Sequence, residues 1–174
     1  MEEKNTSVFY NGLIWGVIIG LVSVIYSVLL YVFDQALNRT LGYLSLLILL
    51  GGLAYSMYYF RESVREGILS FGTAFGFGVV VVVTAGIIGQ IYSYLLFTVI
   101  DPGLQDKMLE MAMDKMMEKG VPEDQIDQAM NITKKFMSPV FLAISGLVST
   151  AIMGSILSVI SAAIFKREAP EGAA

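Results

Sequence analysis

The sequence predicts an all-α integral membrane protein, a bundle of four spanning helices with an amphipathic helical hairpin between the third and fourth. Three observations carry this. Four stretches hold no charged residue (8–33, 41–60, 67–100 and 136–165), and together they make up 110 of the 174 residues. A helix of ~20 mainly apolar residues crosses a ~30 Å hydrocarbon core, so each stretch is long enough to span. The composition agrees. The chain is 56% apolar and 15% charged, with a mean hydropathy of +0.71, where a soluble domain carries about 25% charged residues. Lastly, the charges gather at the ends of the apolar stretches and in one polar segment, 103–137.

The first span, about 8–33, has Thr6 or Ser7 as its cap and closes at Asp34. A short loop around Asn38 and Arg39 makes the second span, about 41–60 with Thr40 as its cap, an antiparallel neighbour of the first. This span ends in Tyr55, Tyr58 and Tyr59 beside Arg61, a headgroup-level cluster. In the next connection Glu62 and Arg65 stand three apart and can pair on a helical turn, and Gly67 lets the chain reverse. The third uncharged run, 34 residues long, would reach ~51 Å as one helix. The span assigned to it is about 69–99. It either projects beyond the bilayer or is bent or re-entrant at its glycine-dense start (Gly67, Gly72, Gly76, Gly78). Asp101-Pro102 reads as the end of this span and the start of the next helix.

Within 103–137, Gly120 separates two helical pieces, and Pro122-Glu123-Asp124 opens the second. At 100° per residue, Ile126, Ala129, Met130, Thr133, Phe136 and Met137 share one arc, with Glu123, Asp127, Lys134 and Lys135 opposite. The preceding piece has a broader apolar face of Leu104, Met108, Leu109, Ala112, Met113 and Met116. Asp106, Glu110, Asp114 and Glu118 lie across from it. Two such faces can bury each other as a hairpin resting on the bilayer rim, lie on the membrane surface, or offer a surface to another protein. Seven of the ten methionines fall here, and Met108-x-x-Met111 with Met113-x-x-Met116 has the spacing of copper(I)-handling strings. Adaptable packing is the simpler use of these thioethers, and no cofactor or metal is assigned. Ser138-Pro139 opens the fourth span, about 139–165. Lys166-Arg167 marks its exit, and the small-residue tail 168–174 reads as disordered.

Gly12, Gly16 and Gly20 repeat every four residues in the first span, and Gly146, Thr150, Gly154, Ser158 and Ala162 do so in the fourth. Small residues at this spacing line one helix face and let two backbones approach closely, a main source of attraction in lipid. They are assigned to helix packing, within the bundle or between copies of the chain. Gln90, near the middle of the third span, is a polar amide at membrane depth. It is either a helix–helix hydrogen-bonding group or part of a solute path.

The chain has no histidine and no cysteine, which excludes imidazole acid–base chemistry, thiol catalysis and disulfides. The net charge is −4 and no basic run exceeds two residues, so nucleic acid is not an expected partner. The N-terminus is acidic, and the apolar run behind it is too long for a signal-peptide core, so it reads as a retained span. Arg39 alone on the first short loop against Arg61 and Arg65 on the second favours both termini on the cytoplasmic side.

Several strings occur together over nearly the whole chain. They are Arg65-Glu66-Gly67 leading to Ser70-Phe71-Gly72, Ile91-Tyr92 leading to Ile100-Asp101-Pro102, the Met-rich acidic helix broken at Gly120, Asp124-Gln125-Ile126 leading to Met130, and Ile164-Phe165-Lys166-Arg167. The arrangement resembles the bacterial membrane family known as domain of unknown function 4199. Val121-Pro122 departs from it, standing where a serine-type cap is expected. The resemblance implies four spans in the bacterial cytoplasmic membrane and carries over no activity or catalytic residue. The expected function is non-catalytic, an assembly or partner-interaction role in the bilayer through the glycine stripes or the hairpin. The alternative is a small-solute channel or transporter subunit with a path near Gln90, and an enzyme is not expected.

Overall fold

The computed structural model describes residues 7–167. The acidic N-terminus, the alternative cap Thr6 and the tail 168–174 lie outside the described residues. Among those described there are six helices, and four of them are long and apolar enough to cross a membrane.

Helix α1 (Val8–Val32) is capped by Ser7, whose Oγ accepts from the Tyr10 N–H at 3.3 Å. The chain turns over at Asp34, which holds φ at 58°. Helix α2 (Arg39–Tyr59) starts from Asn38 rather than Thr40. The Asn38 carboxamide oxygen accepts from the N–H groups of Thr40 (3.0 Å) and Leu41 (3.3 Å), so Thr40 already lies inside the first turn. α2 runs on into a wider π turn, Phe60–Val64, closed by the Arg65 N–H on the Phe60 carbonyl at 3.0 Å. That widening overturns the expected Glu62–Arg65 pair. Residues three apart no longer stack along the helix, and Glu62 instead accepts from the neighbouring Arg61 Nε at 2.7 Å. Glu66 and Gly67, with φ of 54° and 86°, reverse the chain.

Helix α3 (Phe71–Leu95) continues through a second π turn, Leu96–Ile100. Its glycines 72, 76 and 78 lie inside regular helix, so the re-entrant start considered from the sequence is not formed. The 30 residues Phe71–Ile100 correspond to ~45 Å of helix. Asp101, at φ −146°, ends the run. Helix α4 (Leu104–Glu118) begins after Gly103, so Pro102 sits in the connecting turn and is not the first helical residue. Gly120, at φ 71°, makes the next turn. Helix α5 (Glu123–Phe136) follows Pro122 and carries Glu123 and Asp124 in its first turn and Lys134 and Lys135 in its last, as the helix dipole favours. Helix α6 (Pro139–Phe165) starts with Ser138 Oγ accepting from the Phe141 N–H at 3.4 Å.

The described residues form two units. The first holds 7–89 and 147–167, and the second is Gln90–Gly146. In the first, Leu53, Met57, Phe60, Phe77, Val81 and Val82 are fully buried. Phe60 stacks on Phe77 with centroids 4.4 Å apart, while Trp15 of α1 meets Tyr55 and Tyr59 of α2 at 5.5 and 5.4 Å. Two backbone hydrogen bonds of 2.8 Å join Leu69 to Arg167, so the α2–α3 connection is knitted to the exit of α6. In the second unit α4 and α5 fold on each other, burying Leu104, Ile126 and Met130. Gln105 Nε2 ties the start of that hairpin to its end by donating to the Met137 carbonyl at 2.7 Å.

Candidate functional site

Helix α3 receives a stripe of small residues on each of two sides. From α1, a Cβ added to Gly12 would lie 2.7 Å from Val80 Cγ1, one on Gly16 2.5 Å from Thr84 Cβ, and one on Gly20 3.0 Å from Ile88 Cβ. Each step of four along α1 is matched by a step of four in the same direction along α3, so the two helices run parallel. Side chains of ordinary size would hold the backbones apart.

The α3–α6 seam runs the other way. Gly78 receives Ser158, Val82 enters the space left by Gly154, Gly86 receives Thr150, and Gln90 lies over Gly146. Each step forward on α3 is a step back on α6, which makes these helices antiparallel. At every step a glycine on one helix takes a side chain from the other. The Val82 methyl sits so close over Gly154 that a Cβ there would overlap it. Ser158 is fully buried and satisfies its hydroxyl within its own helix, donating to the Gly154 carbonyl at 2.7 Å. Gln90 is half-buried. A Cβ on Gly146 would lie 2.5 Å from its Oε1, so the amide rests on bare α6 backbone.

The sequence pattern singled out the α1 and α6 stripes, and Gln90 by its polarity, but did not join Gly78, Val82, Gly86 and Gln90 into a matching stripe on α3. The spacing Gly78, Val82, Gly86, Gln90 was there to be read. It was masked because only two of its four members are glycine, in a helix rich in glycine on other faces.

Charge collects at one end of the first unit. Arg61 donates from Nη1 to the Phe165 carbonyl at 3.3 Å, and its guanidinium lies 5.6 Å from the Tyr58 ring centroid and 5.8 Å from that of Phe165. It therefore caps α6 as well as pairing with Glu62. The Arg65 guanidinium lies 5.4 Å from the Phe60 centroid, and its Nε is buried without a hydrogen-bond partner among the described residues.

In the second unit the predicted apolar faces turn inward in part: Ile126 and Met130 of the α5 arc are buried, while Phe136, placed on the same arc, is 53% exposed. Met108, Leu109, Ala112, Met113 and Met116 are half-buried, while Asp106, Glu110, Asp114 and Glu118 are exposed. Met108 and Met111 part company, since Met111 is 41% exposed, and Met117 is 50% exposed. Phe136 meets Phe141 edge-on at 4.9 Å.

These observations describe a helical protein with four helices long and apolar enough to cross a membrane, close small-residue seams, a cationic end and an amphipathic hairpin. The profile of the family described as Protein of unknown function (DUF4199) matches residues 14–167, and the chain belongs to that family. No curated protein and no solved structure matches.

Proposed function

We propose that the chain is a non-catalytic multi-pass protein of the bacterial cytoplasmic membrane, with both termini on the cytoplasmic side, that acts by assembly with a partner through the outward face of its hairpin. One observation carries this reading. The glycine stripes are filled by α3 of the same chain, and the hairpin buries Leu104, Ile126 and Met130, while the acidic stripe of α4 stays exposed with Met111 and Met117 beside it. Four carboxylates at four-residue spacing, flanked by adaptable thioethers, suit a partner segment with basic and apolar groups. The hairpin rests at the bilayer rim. Ile132, Phe136, Val140 and Ile144 are all exposed and lead from the end of α5 into α6, and Lys134 and Lys135 sit where long stems reach headgroups.

The test is site-specific photo-crosslinking in native membranes, with a benzophenone amino acid at Met111, Met117, Phe136 or Ile14. Positions 111 and 117 are expected to capture one and the same protein, with the yield lost on Asp114→Lys, while 136 and 14 give lipid adducts. Lipid adducts alone at 111 and 117 would remove the partner reading. A second reading, a small-solute path, draws support from Gln90, for whose half-buried amide no described residue supplies a hydrogen bond.

A further inference from the structure

The ends of α2 and α6 bring four cations to one place. Arg61 is bound to the last carbonyl of α6, Arg65 closes the same π turn as its C-cap, and the backbone bridge from Leu69 holds Arg167, with Lys166 beside it, against the same connection. Among the described residues the carboxylates on this connection are Glu62, engaged by Arg61, and Glu66, exposed on its left-handed turn; Glu168, next in sequence to Arg167, lies outside them. Arg65 differs from the other three. Its guanidinium is laid over Phe60, a fully buried ring that is itself stacked on Phe77, and its Nε is buried with no hydrogen-bond partner among the described residues. A guanidinium partly withdrawn from water is costly without a counter-charge, and an anion at its outer nitrogens offsets that cost. The charge-free stretches end at Phe60 and Phe165, and all four cations follow within five residues of those ends, the level at which headgroups are expected. The anions standing at that height in a bilayer are lipid phosphates, and the planar guanidinium fork matches a phosphate with two parallel hydrogen bonds.

We propose that Arg65, with Arg61 and Arg167 beside it, binds the phosphate of an anionic phospholipid headgroup at this end of the protein. Arg61 is held in place by the Phe165 carbonyl and supplies field more than hydrogen bonds. Arg65 supplies the fork, and Arg167 closes over the anion from the α6 side. The guanidinium groups of Arg61, Arg65 and Arg167 favour a lipid of net negative charge over a zwitterionic one that carries the same phosphate. The site does not depend on the hairpin or on any partner protein.

The experiment uses the full chain, delipidated in mild non-ionic detergent, and reads lipid adducts by native mass spectrometry together with the thermal midpoint. The probes are phosphatidylglycerol, phosphatidylcholine and inorganic phosphate. Phosphatidylglycerol is expected to form a retained one-to-one adduct and raise the midpoint, phosphatidylcholine to do so far less, and inorganic phosphate to do neither. Arg65→Gln should weaken phosphatidylglycerol retention about tenfold. Arg65→Lys should recover part of it, and Arg39→Gln, on the other short loop, should leave it unchanged. If Arg65→Gln does not fold, Arg167→Gln on the exposed end of α6 gives the same comparison. Equal retention of phosphatidylglycerol and phosphatidylcholine, or undiminished retention in both Arg65→Gln and Arg167→Gln, overturns the site. A midpoint shift with inorganic phosphate as large as that with phosphatidylglycerol overturns the lipid assignment.

Discussion

Where α6 crosses α3, the residues that meet are Gly78 with Ser158, Val82 with Gly154 and Gly86 with Thr150. Where α5 meets α4, the residues that close the contact are Leu104, Ile126 and Met130, with Met108, Met113 and Met116 half-buried around them. The contrast follows from the solvent. Large apolar side chains draw helices together only where water is excluded by doing so, and each such residue contributes about 1.5–3 kcal/mol on burial. Among lipid tails the same side chains lose nothing by staying outside, and α1 and α6 do leave them there: Ile14, Ile25, Ile144, Ile152 and Ile164 are all exposed. Attraction between the long helices must then come from backbone approach and dense contact, which small residues permit. One chain therefore follows two packing rules, and the switch between them falls where its charges begin.

The largest effect is expected where the first rule is strictest. Gly154→Ile would drive a Cβ and three further carbons into Val82, and Gly16→Ile would do the same against Thr84 and the Val81 carbonyl, 2.8 Å from the added Cβ. Backbone cannot yield as a flexible side chain can, so a loss of about 3 kcal/mol or more is expected, seen as a lowered thermal midpoint and aggregation in detergent. Gly89 and Gly72, with nothing within 4 Å of an added Cβ, are the controls. Alanine at either should be neutral or stabilise by up to ~1 kcal/mol through helix propensity. If Gly154→Ile cost no more than Gly89→Ile, the seam would not be the close contact described, and the contrast between the two regions would collapse.

The second rule is probed at Ile126. Truncation to Ala in a water-driven core costs about 2–4 kcal/mol, whereas Ile132→Ala, at a position 58% exposed, should stay within about 0.5 kcal/mol. Amide hydrogen exchange across 104–136 distinguishes the two. Ile126→Ala should speed exchange throughout α4 and α5, and equal protection in both variants would mean that the hairpin is not held by its apolar faces.

How much could be read in advance follows the same division. The hairpin was legible in detail, because amphipathic periodicity states directly which side meets the partner helix. Ile126 and Met130, placed on the inner arc by spacing alone, are buried. The long helices were legible as helices and nearly to the residue, since charge-free length is itself the signal. Their partners were not. A helix that is apolar all round shows no preferred side, so the docking of α1 and α6 on α3 appears only once Val80, Thr84 and Ile88 are seen opposite Gly12, Gly16 and Gly20. The caps fared unevenly, because Asn38 and Thr40 both satisfy the sequence rule and only the loop geometry decides between them. The cationic end was hidden for another reason. Arg61 and Phe165 are 104 residues apart, and no local pattern links a guanidinium to a distant carbonyl.

The smallest effect, and the sharpest on function, is expected at Gln90. It continues the α3–α6 register, lying over Gly146 as Val82 lies over Gly154, yet it is polar where the seam is otherwise apolar or small. A side-chain hydrogen bond between membrane helices averages ~0.6 kcal/mol, and no such bond to this amide is made by the described residues. Gln90→Leu keeps the volume and removes only the polarity, so the thermal midpoint should move by the equivalent of less than ~1 kcal/mol, in either direction. Solute flux into proteoliposomes, measured on the same variant, then separates the two functional readings. A polar amide retained for conduction should take the flux with it when it goes, while the fold stays intact. If the seam is only a strut, wild type and Gln90→Leu will be equally impermeable. A midpoint loss as large as that of Gly154→Ile would give a third answer, that the amide makes a buried bond which this geometry does not contain. The comparison between lipid-facing and water-facing packing would then need a polar contribution on the lipid side.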